Sequence, residues 1–240
     1  MPYIYEICKA GKTVRHSKHY SSRYGIPGIP RRKNKKPTTE QQAEVNLRQA
    51  EKKLTAILNA AFSEDDAHNV LDYRKEERPA TWEEMRKDID DFFKLLRKEM
   101  KKQGKTLRYV HVMELGKKGA RHHHIVMNVT DAKLLRQCWK KGRVHVNPLD
   151  DTGQYRELAS YLLKYSDGAV RRGELKKRWF PSQHLPKPEI TKEIILRHHF
   201  RAEVNVPRGY YLDKDSVRDF NDVYGNRHFE YTVIRLEDTS

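Results

Sequence analysis

RYVHVMELGKKGARHHHIVMNV, residues 108–129, predicts a β-hairpin. Residues 108–115 follow the alternating pattern of a strand, and residues 122–129 form a second strand-like run. Between the two runs, residues 116–119 read Gly-Lys-Lys-Gly and supply the glycines of a turn. The stretch therefore predicts two antiparallel strands that lie side by side.

His122 and His124 flank a single residue of the second run, so strand alternation points both imidazoles to one face of the sheet. The turn brings Glu114, from the end of the first run, alongside His122. Two imidazoles and a carboxylate leave coordination positions open for a phosphate oxygen and water, which suits Lewis-acid chemistry on a phosphodiester. Such a short histidine pattern is also common in surface clusters. The apolar residues 125–127 that follow favour a buried strand that fixes the two rings.

RELASYLLKYS, residues 156–166, predicts a helix that carries Tyr161, Lys164 and Tyr165 on one face. A tyrosine hydroxyl can attack phosphorus and hold it as an ester. The phenol has an ordinary pKa of about 10 and needs activation at neutral pH, which a metal-polarised phosphate and the Lys164 ammonium would provide. The motif alone also fits a packed tyrosine and a solvated lysine, but together with the histidine pair it favours a nucleophile.

The rest of the chain predicts an α+β fold: an antiparallel sheet with helices on one face, a metal site on its β-hairpin and the nucleophile on a helix. The predicted helices cover residues 37–61, 81–104, 130–140 and 154–165, and the further predicted strands cover residues 68–73, 143–147, 197–206 and 227–238.

Residues 1–36 predict a basic arm in front of one domain, residues 37–240. KHYSSRYGIPGIPRRKNKKP, residues 18–37, mixes basic residues and tyrosines with glycine and proline, which favours an irregular segment. Arginine and lysine bind phosphate, and aromatic rings stack on unpaired bases. The predicted DNA contacts are Lys33, Lys35, Lys36, Tyr155, Tyr165 and Trp179. Two alternatives to these contacts remain: the arm is only solvated, or Trp179 packs in the core.

The charge of the chain predicts a polyanionic partner, with DNA as the first candidate. Lys and Arg number 49 against 33 Asp and Glu, a formal net charge of +16. No apolar run is long enough to span a bilayer, and the N-terminus lacks the apolar segment of a signal peptide. Two cysteines are too few for a disulfide framework. A cytoplasmic protein with no membrane partner is expected.

Together the motifs resemble those of rolling-circle replication initiators of the HUH endonuclease superfamily. HHHIVMN, residues 122–128, matches the pattern of two histidines around one residue, followed by an apolar strand. RELASYLLKYS matches the single-tyrosine motif with a lysine three residues on, and HNVLDY, residues 68–73, occupies the place of the first-motif strand. The flanking segments are similar to replication-associated proteins of Gram-positive plasmids, phages and integrated elements.

That resemblance implies an HUH/RRM-like palm in which Tyr161 nicks DNA at a single-stranded or hairpin origin. Tyr161 would keep the 5′ phosphate and release a 3′ hydroxyl for a host polymerase, and the reverse reaction would rejoin strands at termination. His122, His124 and Glu114 would bind Mg²⁺ or Mn²⁺, while Lys164 would assist the phosphoryl step. The sequence contains no GxxxxGK[ST] motif, so unwinding is expected from a host helicase.

Other classes share parts of this pattern. A conjugative relaxase or a transposase uses the same nick-and-join chemistry, although the initiator-like flanks favour replication. A non-catalytic DNA-binding regulator has no need of the intact histidine and tyrosine motifs. A zinc hydrolase is disfavoured because the histidines lie on a strand and not in HExxH on a helix. Tyr165 has the spacing of a second nucleophile, but its context favours a structural or DNA-contacting role.

Overall fold

The computed structural model describes residues 3–21, 39–116, 119–222 and 224–236. It is an α+β structure, as predicted, and its strands form two antiparallel sheets where the sequence predicted one. Its elements are β1 (Tyr3–Ala10), β2 (Thr13–Tyr20), α1 (Glu40–Ala61), β3 (Ala67–Asp72), α2 (Trp82–Lys102), β4 (Tyr109–Leu115), β5 (Arg121–Met127), α3 (Ala132–Cys138), β6 (Val144–Pro148), α4 (Arg156–Arg171), β7 (Phe180–Pro181), β8 (Glu189–Ile195), β9 (Tyr210–Asn221) and β10 (Arg227–Arg235). They form two compact units, one of Met1–Asn46 with Lys187–Ser240 and one of Leu47–Pro186.

The sheet of the Leu47–Pro186 unit has the strand order β6-β3-β5-β4-β7, with every pairing antiparallel. The predicted hairpin is confirmed as β4 and β5, and the predicted order of strands and helices from residue 68 to residue 165 is confirmed with it. In the hairpin Glu114 pairs with His122, and Val112 pairs with His124. This register places the predicted carboxylate and both histidines on one sheet face.

Helices cover both faces of this sheet, whereas the sequence predicted them on one. Helices α2 and α3 pack on the face that carries Ile125 and Met127. Helices α1 and α4 pack on the opposite face, against Val110, Val112 and Val126. The physical reason is visible in β5, where Ile125, Val126 and Met127 are all fully buried and both faces need an apolar cover.

Helix α2 begins with a capping box. The Thr81 hydroxyl accepts a hydrogen bond from the Glu84 backbone N–H, while the Glu84 carboxylate accepts one from the Thr81 backbone N–H. Its apolar side chains Met85, Ile89, Phe92, Phe93, Leu96 and Met100 are buried, and the ring of Phe93 stacks on that of Tyr109 with the centroids 3.8 Å apart. This contact anchors α2 to the hairpin strand β4.

Residues 3–20 are two paired strands and not part of an arm, which corrects the prediction for them. The other unit has a sheet of order β8-β1-β2-β10-β9, and in β1 Ile4, Cys8 and Ala10 are buried. The alternating pattern of a strand is hard to see in this stretch because most residues of β2 are polar. In addition, β8 and β10, which pair with β1 and β2, come from the far end of the chain. The structure divides the chain after Asn46 and after Pro186 instead of at residue 36.

The C-terminal strand prediction is confirmed by β10, but residues 197–206 form no strand. Lys33, Lys35 and Lys36 lie outside the described residues. No helix in the part of the chain that the structure describes is both long enough and apolar enough to cross a membrane.

Candidate active site

Strand pairing gathers a set of polar side chains on the sheet face beneath α4. Asp72 of β3 pairs with His122 of β5, and Glu114 of β4 pairs with the same histidine from the other side. His68 and His124 lie further along the same face, four and two residues from Asp72 and His122. Residues paired across antiparallel strands point to the same face. The three predicted metal ligands are therefore neighbours.

Tyr161 lies over this face on helix α4. Its ring centroid is 5.6 Å from that of His124 and 6.0 Å from that of His68, with both contacts edge-on. Leu162 and Leu163 are buried against the sheet, which holds the helix in place, while the Tyr161 side chain is 42% exposed. The two motifs are thus brought together in the fold with the tyrosine accessible to a substrate.

Hydrogen bonds fix both histidines through their Nδ1 atoms. The His122 Nδ1 lies 2.7 Å from Asp72 Oδ1, and the His124 Nδ1 lies 3.1 Å from the Nε2 of His68. The His124 Nε2 in turn lies 2.5 Å from Glu114 Oε2. Each predicted ligand ring is therefore oriented by a neighbour on β3.

Three residues of this network were not singled out from the sequence: His68, Asp72 and His145. The second carboxylate oxygen of Asp72 lies 2.9 Å from His145 Nε2, so Asp72 joins two histidines. A signal was present in HNVLD, where His68 and Asp72 stand four residues apart and share a strand face. Their roles follow only from the pairing of β3 with β5.

His122, His124 and Glu114 are donors of the kind that a divalent cation takes, but each is hydrogen-bonded here, His124 to Glu114 and His122 to Asp72. Among the described residues, no three His, Cys, Asp or Glu side chains are arranged to hold a metal ion. The chemistry is suitable because Glu114 offers carboxylate oxygen and both histidines have Nδ1 engaged. A ring held in this way presents Nε2 to a metal. An ion bound by His124 and Glu114 would replace the hydrogen bond between them.

The site lowers the basicity of His68 and the acidity of Tyr161. Burial, followed by the nearby His124, lowers the pKa of His68 to about 4, so its ring is neutral. Burial raises the pKa of Tyr161 to about 12, and the hydrogen bond with Tyr165 and the nearby Glu114 act in the same direction. At neutral pH the phenol of Tyr161 is therefore protonated.

The other predicted residues around α4 fall in different environments. Tyr165 stacks on His124 with the ring centroids 5.6 Å apart. Lys164 is exposed and lies one helical turn from Tyr161. Trp179 packs against the apolar core between α4 and the sheet.

Tyr155 is not available as a base-stacking residue, which corrects that prediction. Only 2% of it is exposed, and its hydroxyl donates a hydrogen bond to the carbonyl oxygen of Asp150. Its backbone N–H donates to the side chain of Asn59 on α1. These contacts instead fix the start of α4, and with it the position of Tyr161.

Residues 69–168 match the family model described as replication-associated protein ORF2/G2P. The matched stretch lies within the Leu47–Pro186 unit, covers less than half of the chain and includes both predicted catalytic motifs. Neither a curated protein nor a solved structure gives a significant match to the chain. The family match supports a role in the initiation of DNA replication.

Proposed function

We propose that this chain is a rolling-circle replication initiator of the HUH type, which nicks and rejoins single-stranded DNA at an origin. The observation that carries the proposal is the position of the Tyr161 ring against His124, whose Nε2 is bonded to Glu114. The similarity of residues 69–168 to replication-associated proteins supports the same biological role.

In the proposed reaction the phenol oxygen of Tyr161 attacks the phosphorus of one phosphodiester. A phosphorus–oxygen bond to the tyrosine forms, and the bond from phosphorus to the 3′ oxygen breaks. The phenol proton is lost and the leaving oxygen gains one, so the products are a 5′ phosphotyrosine and a free 3′ hydroxyl. The ester conserves the bond energy, so attack by a 3′ hydroxyl rejoins a strand.

Tyr161 needs activation because its pKa is raised to about 12. At pH 7 a phenol of that pKa is ionised in about one molecule in 10⁵. Lys164, one helical turn away, offers an ammonium group for the developing negative charge. Mg²⁺ or Mn²⁺ held by His122, His124 and Glu114 would supply Lewis-acid polarisation of the scissile phosphate. Asp72 and His68 keep the two imidazoles in the required orientation.

The proposed product defines the partners that the reaction needs. A free 3′ hydroxyl is the primer that a host polymerase extends. Since the sequence has no GxxxxGK[ST] motif, strand separation is assigned to a host helicase.

The test is covalent capture on single-stranded DNA. Full-length protein is mixed with a randomised oligonucleotide library in Mn²⁺, adducts are isolated on a denaturing gel, and the attached DNA is sequenced. We expect an adduct with a common sequence in the wild type and in Tyr165→Phe, and none in Tyr161→Phe or in EDTA.

An adduct that persists in Tyr161→Phe and disappears in Tyr165→Phe would assign the nucleophile to the other tyrosine. Tight binding of the library with no adduct from any variant would instead favour a non-catalytic DNA-binding regulator. A common adduct sequence that matches a transfer origin or a transposon end would favour a relaxase or a transposase.

A further inference from the structure

A groove of about 890 Å³ runs beside Tyr161 within the Leu47–Pro186 unit. Helices α1 and α4 both contribute to its lining. On α4 the lining residues Tyr161, Lys164, Gly168 and Arg171 follow one another at steps of three, four and three residues. This spacing places them in one row along the helix. The groove therefore leads directly from the candidate nucleophile toward the C-terminal end of α4.

The charges along this row change sign at the nucleophile. Glu157 lines the groove one turn before Tyr161, whereas Lys164 and Arg171 lie after it. With a rise of about 1.5 Å per residue, Lys164 lies about 4.5 Å and Arg171 about 15 Å along the helix axis from Tyr161. A phosphate backbone is thus favoured on the C-terminal side of Tyr161 and disfavoured on the other.

Two further charges in the groove are already neutralised. The Asp167 carboxylate is held by Arg178 at 2.7 Å, and the Arg172 guanidinium is held by Glu174 through two contacts. In the described part of the chain, by contrast, Lys164 and Arg171 form no ion pair. Glu51, on the α1 wall, is the remaining carboxylate of the lining. The available positive charge lies in the row that begins at Tyr161.

Gly168 lies between these two cations, inside the helix. A glycine there costs about 1 kcal/mol of helix stability relative to alanine. Packing does not require it, since an added Cβ would meet only the flexible end of the Arg172 side chain, at 3.2 Å. Its absent side chain leaves the helix backbone open to the groove at the midpoint of the row.

We propose that this groove holds the single-stranded DNA segment that flanks the scissile phosphate. Arg171 binds a backbone phosphate a few nucleotides from the site of attack, and Gly168 lets the strand approach the helix. The proposal rests on the proposed function, since it takes Tyr161 as the point from which the strand runs. Arg171 is a substrate-positioning residue and takes no part in the chemical step.

The first experiment measures binding without cleavage. A fluorescent oligothymidylate of about 20 nucleotides is titrated with full-length protein at several salt concentrations. We expect Arg171→Gln to weaken binding about fivefold to tenfold and to lower the slope of log affinity against log salt by about 0.7. Arg172→Gln is the matched control, because the Arg172 guanidinium lines the same groove but is already bound to Glu174. We expect this variant to bind oligothymidylate with an affinity near that of the wild type.

Gly168→Ala separates a role in DNA binding from a structural role. Alanine favours the helix, so the melting temperature should hold or rise. We expect DNA affinity to fall nevertheless, because the added methyl group narrows the groove. Unchanged affinity in both Gly168→Ala and Arg171→Gln would overturn the proposal.

A second experiment locates the contact and separates this proposal from the proposed function. Neutral methylphosphonate linkages are placed singly along an adduct-forming oligonucleotide, and the adduct rate is measured. One linkage near the cleavage site should slow the wild type and have no added effect in Arg171→Gln. Equal effects in both proteins at every linkage would refute the contact while leaving the nuclease intact. A wild type that forms no adduct would refute the proposed function. The oligothymidylate titration would then still show whether the groove binds single-stranded DNA.

Discussion

Tyr161 combines accessibility with a protonated phenol. Its side chain is 42% exposed over the sheet, but its partial burial and a hydrogen bond with Tyr165 raise its pKa to about 12. A hydrogen bond donated by the phenol stabilises the protonated form and opposes ionisation. Tyr165 therefore opposes the ionisation of Tyr161, and its ring also stacks on His124.

This opposition to ionisation predicts the effect of Tyr165→Phe on the pH dependence of nicking. Without the hydroxyl, the pKa of Tyr161 falls, so a given fraction of phenolate is reached at a lower pH. The logarithm of the adduct rate should rise with pH in both proteins, and the Tyr165→Phe curve should be displaced to lower pH. Rate–pH profiles at fixed Mn²⁺ measure the displacement. A profile that is unchanged or moves to higher pH would contradict the assigned interaction.

Asp72 carries a second prediction at the scale of single residues. Its two carboxylate oxygens are hydrogen-bonded to His122 and His145. The change Asp72→Asn removes the negative charge that faces Nδ1 of His122. Removal of such an outer partner commonly lowers metal affinity about 10-fold to 100-fold. We expect weaker Mn²⁺ binding by titration calorimetry and an adduct rate that recovers at high Mn²⁺. His145→Gln leaves the bond to His122 in place and should change Mn²⁺ affinity less.

Among the elements, β3 depends on a close approach by the link between α3 and β6. The Asp72 backbone N–H donates to the carbonyl of Arg143, and the Arg74 backbone N–H donates to that of Lys141. Gly142 lies between these two contacts. A Cβ at this position would stand 1.9 Å from the carbonyl oxygen of Asp72. The link can run alongside β3 only because residue 142 has no side chain.

Gly142→Ala should therefore destabilise the protein and disturb the site together. The overlap is with backbone atoms, so relief requires movement of β3 or of the link, at a cost of about 1–3 kcal/mol. Urea unfolding should show this loss, and Mn²⁺ affinity should fall because Asp72 is displaced. Gly168→Ala is the matched control, since its Cβ meets only the end of a side chain. Equal stability of the two variants would contradict the close approach.

The whole molecule contains buried histidines that are neutral in the native state. His111, His123 and Tyr73 form a hydrogen-bonded row behind the site, with distances of 2.9 and 2.8 Å. Burial lowers the pKa of His111 to about 3, holds that of His123 well below its usual range, and lowers that of His68 to about 4. The folded protein therefore excludes protons that the unfolded chain takes up below pH 6.5.

This exclusion predicts acid instability. The contribution of these depressed pKa values to stability is present above pH 6.5 and is lost as the pH falls toward the native values. Each histidine contributes about 1.4 kcal/mol per pH unit once the unfolded state is protonated. Urea unfolding between pH 7 and pH 5 should show a falling free energy of unfolding. His111→Gln, which can keep a hydrogen bond to His123 without titrating, should reduce that slope.

The control for this measurement is His184→Asn. His184 is exposed, and its φ of 61° is a backbone conformation that asparagine also tolerates. Its replacement should leave the pH slope unchanged. A slope that His111→Gln and His184→Asn affect equally would contradict the assignment to buried histidines.

The sequence by itself determined the hairpin, the tyrosine helix and the order of elements between them. Strand alternation and helical spacing are local properties, so they place His122 with His124 and Tyr161 with Lys164 without any knowledge of the fold. The same alternation in the hairpin was enough to predict that Glu114 would join the histidines.

Only the tertiary structure decided what surrounds these residues. His68 and Asp72 become partners of the histidines through the pairing of β3 with β5, whose bonded side chains are 56 and 50 residues apart in the chain. Long-range pairing likewise turned residues 3–20 into strands, because their partners lie beyond residue 188. The packing of helices on the sheet buries Tyr155 and places helices on both sheet faces. No local sequence pattern specifies which side chains this packing encloses.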